Sequence, residues 1–116
     1  MFDPSTLSMP LSAAAVRRGD ALVLELDGEL DLSARRAFED LLEEAIESET
    51  ERVYIDLRGL EFIDSTGIGL LLHAWRTAQE QGLALAFVRS EGYVWSLLES
   101  TGVADRIAVA DESALT

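Results

Sequence analysis

The chain has 116 residues, 48% of them hydrophobic, and a net charge of −13. This length suits one compact domain with a real core and is too short for two. Because the chain contains no cysteine, disulfides, thiolate metal ligands and a cysteine nucleophile are excluded. The acidic excess disfavours nucleic acid and anionic membranes as partners and favours a protein with a basic docking face.

The start of the chain carries no recognisable targeting signal. Residues 1–10 contain two prolines and small polar residues, so we expect a flexible lead-in there and a single domain over residues 11–116. No run approaches the roughly 20 apolar residues of a membrane span, and the first residues lack the basic head of a signal peptide. The sequence therefore predicts a cytoplasmic protein without direct membrane insertion, and its length favours a monomer.

The first half of the chain predicts a hairpin followed by a helix. Apolar runs over residues 11–16 and 21–26, separated by Arg-Arg-Gly-Asp, are typical of two antiparallel strands. A helix is predicted to begin with Ser33 as its N-cap. Its apolar face at helical spacing consists of Ala34, Ala37, Phe38, Leu41, Leu42, Ala45 and Ile46.

The second half alternates strands and helices. Strands are predicted over residues 52–57, 83–88 and 106–109, and helices over residues 67–81 and 93–101. The tail from Asp111 predicts only about one helical turn. This order indicates an α/β fold whose mixed sheet is antiparallel at the N-terminal hairpin, parallel afterwards, and packed with α-helices.

Helical spacing assigns two faces to the helix over residues 67–81. The predicted core face consists of Ile68, Leu71, Leu72, Trp75 and Ala78. The opposite face consists of Gly69, Leu70, His73 and Thr77. We therefore expect Leu70 to lie away from the core.

The most informative segment is Asp64-Ser65-Thr66-Gly67, where a strand leads into that helix. Asp, Ser and Thr are all good N-caps, so any of the three could simply bond the unpaired N–H groups of the first turn. A phosphate on Ser65 or Thr66 would be tolerated at this positive end of the helix dipole. It would still add about 1.5 to 2 negative charges to the surface.

The chain has few residues of the types that usually act in catalysis, with one histidine and no cysteine or lysine. The protein is therefore predicted not to be an enzyme and to need no cofactor. The single histidine, His73, lies about 10 Å along the helix from the hydroxyl pair, beyond hydrogen-bond reach. The glycines at 67 and 69 lack the third glycine of a dinucleotide loop. The carboxylates at 27, 29 and 31 lack the glycine and glutamate of a calcium loop.

Three landmarks in order resemble the STAS domain, the fold shared by sulphate transporters and anti-sigma factor antagonists. They are Gly28-Glu29-Leu30-Asp31, Asp64-Ser65-Thr66-Gly67-Ile68-Gly69, and the helix end Leu97-Leu98-Glu99-Ser100-Thr101-Gly102-Val103. The resemblance spans most of the chain and implies a bacterial protein.

The resemblance implies an anti-sigma factor antagonist that binds an anti-sigma factor with kinase activity and is inactivated by phosphorylation. The implied acceptor is Ser65, with Thr66 in reserve, and a phosphatase would reverse the modification. The implied partner-binding residues are Glu29, Asp31, Asp64, Thr66, Gly67, Gly69, Leu70 and His73. An almost equally weighted interpretation is that Asp31 only helps to cap the first helix.

Two other functions stay open at the level of the sequence. The same fold could be a docking or regulatory subunit of a transporter or of an ABC-type lipid transport assembly, because fold analogy does not fix function. The start of the second helix could also bind an anionic nucleotide or other small ligand, although no phosphate-binding motif supports this.

Overall fold

A computed structural model describes residues 9–116. Residues 1–8, which make up most of the predicted lead-in, lie outside the described part. The strands are β1 (Ser12–Arg18), β2 (Ala21–Leu30), β3 (Arg52–Ile63), β4 (Ala84–Val88) and β5 (Val109–Ala110). The helices are α1 (Arg35–Glu47), α2 (Ser65–Gln81) and α3 (Tyr93–Ser100), and short 3-10 turns cover Leu32–Ala34, Val103–Arg106 and Glu112–Leu115.

The five strands form one mixed sheet in the order β1-β2-β3-β4-β5. Strands β1 and β2 are antiparallel and the remaining neighbours are parallel. The hairpin turns through Gly19 and Asp20, and Gly19 has a φ of +61°, which glycine adopts without steric cost. The predicted α/β fold with an antiparallel start is confirmed.

All three helices pack on one face of the sheet. Neighbouring parallel strands are consecutive in the chain, so right-handed crossovers place each connecting helix on the same side. Buried residues of the three helices and alternate residues of β2, β3 and β4 form one apolar core. The other face carries a smaller cluster of Ala21, Val23, Tyr54 and Val88, against which Leu115 packs.

Two strands run further than the sequence predicts. β2 continues past residue 26 to Leu30, and β3 continues past residue 57 to Ile63. The pairing between them shifts register after Glu25, so that Asp27 lies opposite Gly59. A Cβ on Gly59 would lie 2.7 Å from the Leu26 carbonyl oxygen and would overlap the Asp27 carboxylate, so this irregularity favours glycine. β5, by contrast, begins only at Val109, because residues 103–106 form a 3-10 turn.

The prediction that Ser33 is the N-cap of the first helix is wrong. Asp31 has the extended backbone of a cap, and its carboxylate accepts bonds from Ser33 N at 3.0 Å and Ser33 Oγ at 2.6 Å. The chain then makes a 3-10 turn before α1 begins at Arg35. The predicted core face is largely confirmed, with Phe38, Leu41, Leu42 and Ala45 buried; Ala37 is exposed.

The prediction that Leu70 lies off the core is also wrong. Leu70 is only 5% exposed, and the buried face of α2 is formed by Gly67, Leu70, Leu71, Ala74 and Ala78. The sequence prediction centred this face on the largest apolar residues, of which Trp75 and Leu72 are only partly buried. The small side chains at 67, 74 and 78 are the ones that face the sheet, so the core face is rotated towards Leu70.

Candidate functional site

The N-terminus of α2 is capped by Asp64. This residue has an extended backbone (φ −114°, ψ −172°), and its Oδ1 accepts a hydrogen bond from Gly67 N at 2.9 Å. Its carbonyl accepts the first helical bond, from Ile68 N at 2.9 Å. Of the three candidate caps, Asp64 therefore satisfies the first turn, and neither hydroxyl is needed for that task.

Ser65 and Thr66 occupy the first two helical positions after this cap. The Ser65 side chain is exposed, whereas Thr66 is half-buried. Among the described residues, the Ser65 hydroxyl makes no hydrogen bond. It therefore stands in solvent at the positive end of a 17-residue helix.

The first turn of α2 packs directly against the end of β2. A Cβ on Gly67 would overlap the Leu30 carbonyl oxygen and come within 2.6 Å of the Ile63 Cγ1. Leu30 and Ile63 are paired across the sheet, so the residues that follow them, Asp31 and Asp64, emerge side by side. Gly67 is what allows this close approach, since any larger residue would push the helix away.

Glu29 in β2 and Asp31 directly after it differ in the hydrogen bonds that their carboxylates make. Asp31 is half-buried and bonded to Ser33, which is the capping role that the sequence left as an alternative. Glu29 is half-buried opposite Phe62 of β3, and its backbone N–H donates to Met9 O at 2.9 Å. Its carboxylate has no hydrogen-bond partner among the described residues. Glu29 and Asp31 therefore lie at the end of the sheet from which α2 begins, where Asp64 caps the helix.

The remaining predicted partner-binding residues of α2 divide into exposed and buried positions. Gly69 and His73 are exposed, and nothing lies within 4 Å of the point where a Cβ on Gly69 would stand. Leu70 is buried in the core and has almost no surface to offer a partner. The surface available for contact therefore omits Leu70.

An exposed aromatic pair, one member of which precedes Ser65 by three residues, was missed by the sequence prediction. Phe62, near the end of β3, and Tyr93, at the start of α3, stack with ring centroids 6.4 Å apart and planes 15° apart. They are 39% and 58% exposed. The pair joins residues far apart in the chain, so only the fold reveals it.

A separate ion-pair chain lies on the open face of the sheet. Arg58 binds both carboxylate oxygens of Asp56 at 2.9 Å and also bonds Glu112 Oε2 at 3.0 Å. Burial by itself raises the pKa of Asp56, but the side-chain and backbone hydrogen bonds from Arg58 outweigh this and hold the pKa below its ordinary value. These ion pairs connect the C-terminal 3-10 turn to β3, so we assign them a structural role.

Comparisons with known proteins agree with this architecture. The family model described as "Mlab, STAS domain" matches residues 13–110. The chain therefore belongs to the STAS domain family. An anti-sigma F factor antagonist from Paenibacillus polymyxa is 29% identical over 83 residues, which cover 71% of each chain. The anti-sigma-F factor antagonist RsfA of Mycobacterium tuberculosis is 25% identical over 114 residues, which cover 95% of this chain and 89% of that protein.

Solved structures share the fold at lower sequence identity. An anti-sigma factor antagonist from Mycobacterium paratuberculosis has a TM-score of 0.77 at 20% identity, covering 89% of both chains. The Bacillus cell fate determinant SpoIIAA in its phosphorylated form has a TM-score of 0.62 at 22% identity, covering 90% of this chain and 94% of that one. Within residues 9–116, no helix is long and apolar enough to span a membrane.

Proposed function

We propose that this protein is an anti-sigma factor antagonist controlled by phosphorylation of Ser65. In its unphosphorylated form it binds an anti-sigma factor that has serine kinase activity, and the sigma factor is thereby released. A phosphate on Ser65 ends this binding, and a phosphatase restores it. The observation that carries the proposal is the exposed Ser65 hydroxyl directly beside a separate capping residue, Asp64.

The names of the relatives support this proposal. Two similar proteins are antagonists of anti-sigma F factors, and the SpoIIAA structure is one of a phosphorylated protein. The chain also has an exposed hydroxyl residue immediately after the capping aspartate, where an incoming kinase can reach it.

The local geometry favours Ser65 over Thr66 as the acceptor. Ser65 is exposed and Thr66 is half-buried, so a kinase needs to distort the helix start less to reach Ser65. A phosphate at this first helical position would face the positive end of the helix dipole, which keeps the cost to folding small. The hydroxyl has no histidine within reach as a base, so the kinase supplies the ATP, the magnesium and the charge stabilisation.

The same phosphate would be costly in a protein interface. It would stand next to Asp64, at the same end of the sheet as Asp31 and Glu29, and would have to lose water when a partner covers it. Repulsion and desolvation together amount to several kcal/mol, which changes a dissociation constant by orders of magnitude. The switch therefore acts on association and leaves the fold intact.

The test uses tagged wild type, Ser65→Ala, Ser65→Asp and Ser113→Asp with lysate of the source organism and then with the purified kinase recovered from it. Ser113 is exposed on the C-terminal turn, so its aspartate variant adds the same charge away from α2. We expect the wild type, Ser65→Ala and Ser113→Asp to bind the kinase, and Ser65→Asp to bind at least about tenfold more weakly.

Phosphate mapping by mass spectrometry completes the test. A single phosphate on Ser65, absent from Ser65→Ala, is the expected result. Phosphate on Thr66 alone would correct the acceptor. Equal binding by all four proteins would contradict a phosphorylation switch.

A second candidate function is a docking subunit of a transporter or ABC-type lipid transport assembly. The observation in its favour is the matching family model, whose description is Mlab. Recovery of a membrane ATPase from lysate, with no kinase and no phosphate on Ser65, would favour this candidate over the antagonist.

A further inference from the structure

We propose that the stacked rings of Phe62 and Tyr93 bind an arginine side chain of the anti-sigma factor. This inference rests on the proposed function and extends it by naming a contact that the Ser65 switch does not include. The occupant is a guanidinium group that stacks on an exposed ring face and pairs with neighbouring carboxylates.

The pair is a formed feature of the free protein. Its centroids are 6.4 Å apart, with 39% and 58% of the two side chains exposed. Each ring restrains the other, and aromatic side chains have few torsions to lose when a partner arrives. Phe62 precedes Ser65 by three residues, so their Cα atoms lie at most about 11 Å apart. Phe62 therefore lies within the area that an interface of standard size centred on Ser65 would cover.

Charge complementarity identifies the occupant. Exposed Glu61 adjoins Phe62, and exposed Glu91 lies two residues before Tyr93. The segments 59–66 and 90–93 contain no basic residue, in a chain whose net charge is −13. The rings and their surroundings therefore attract a cation.

The nearest arginines in the chain have other contacts and do not supply that cation. Arg58 bonds Asp56 and Glu112. Arg89 lies over the ring of Trp95, 5.7 Å from its centroid. Among the described residues, the cation–ring contact is that of Arg89 with Trp95, so a cation bound to the Phe62–Tyr93 pair would come from another molecule. Arginine fits better than lysine, because its planar group stacks on a ring and pairs with a carboxylate at the same time.

The anti-sigma kinase is first identified by its phosphorylation of this chain and purified. The experiment then measures the dissociation constant of its complex with each of a set of variants. Phe62→Leu and Tyr93→Leu keep an apolar side chain but remove the π face. Val109→Ala is the control, because Val109 is an exposed apolar residue on β5. Circular dichroism melts establish that each variant is folded, and Tyr93→Leu changes only an exposed residue at a helix start.

We expect each leucine variant to weaken binding by about 3- to 30-fold and Val109→Ala to bind like the wild type. Replacing the responsible arginine of the partner by lysine should weaken wild-type binding but add little to Tyr93→Leu. Glu61→Gln with Glu91→Gln should reduce the salt dependence of binding, whereas Tyr93→Leu should leave it nearly unchanged.

The outcomes separate this inference from the proposed function. Leucine variants that bind within twofold of the wild type, while Ser65→Asp is released, would overturn the arginine contact and leave the switch standing. If the leucine variants weaken binding as expected but Ser65→Asp binds like the wild type, the switch alone would be overturned. A wild-type chain that binds no anti-sigma factor would overturn both.

Discussion

Two glycines of α2 should respond in opposite directions to the same substitution. Gly67 and Gly69 are separated by one residue in the first turns of one helix, and neither requires a positive φ. Alanine has the higher helix propensity at both positions. Their surroundings differ completely, so Gly67→Ala and Gly69→Ala form a matched pair that isolates the effect of packing.

The expected magnitudes follow from what each new methyl group would meet. On Gly67 the Cβ would overlap the Leu30 carbonyl oxygen and lie 2.6 Å from Ile63 Cγ1, both in rigid surroundings. Such overpacking costs about 1–3 kcal/mol. On Gly69 the Cβ would meet nothing within 4 Å, so the gain in helix propensity should raise the free energy of unfolding by about 0.5–1 kcal/mol.

The assay is urea unfolding followed by circular dichroism at 222 nm or by tryptophan fluorescence. We expect the midpoint to rise for Gly69→Ala and to fall for Gly67→Ala, with unchanged slopes. A shift in the same direction for both variants would refute the placement of α2 against β2. If the partner backbone covers the exposed Gly69, Gly69→Ala should also weaken binding of the anti-sigma factor. A variant that is more stable but binds more weakly would separate the effect on stability from the effect on association.

Three further predictions concern caps and charges. Asp64→Ala should lower the free energy of unfolding by about 1 kcal/mol in urea titrations, because Gly67 N–H loses its partner. Asp56 has a pKa below its ordinary value, so it stabilises the fold above about pH 4 and loses this contribution as pH falls. Asp56→Asn should therefore flatten the acid limb of a stability–pH profile, and an unchanged limb would contradict the assignment. Glu112→Gln should cost at most about 1 kcal/mol by thermal unfolding, because its ion pair is exposed.

The sequence contains enough local information to predict most elements. The Gly-Asp turn predicts the first hairpin, and the glycines that end α2 and α3 adopt the left-handed conformation expected of helix stops, with φ values of +69° at Gly82 and +81° at Gly102. The sequence limits the N-cap of α2 to Asp64, Ser65 or Thr66. The hydrogen bond from Gly67 N to Asp64 Oδ1 identifies Asp64 as the cap.

Most of the failures have a common physical cause, which is contact between segments distant in the chain. The Ser33 cap is the exception, because Asp31 and Ser33 are only two residues apart. The buried face of α2 is set by how closely small residues let it approach the sheet, so Leu70 turned inward although its neighbours in sequence are apolar too. The extension of β3 depends on its pairing with the end of β2. The Phe62–Tyr93 stack joins two elements separated by a helix and a strand, and no periodicity within one segment reports it.

The residue that caps α2 is not the residue that carries the proposed phosphate acceptor: Asp64 is the cap, and Ser65 carries the hydroxyl. Since Asp64 holds the first turn, position 65 can change from serine to threonine, alanine or glutamate without unwinding the helix. A population of such proteins could therefore gain or abandon kinase control through one codon, with the scaffold untouched. Regulation by this chain would then evolve faster than its architecture.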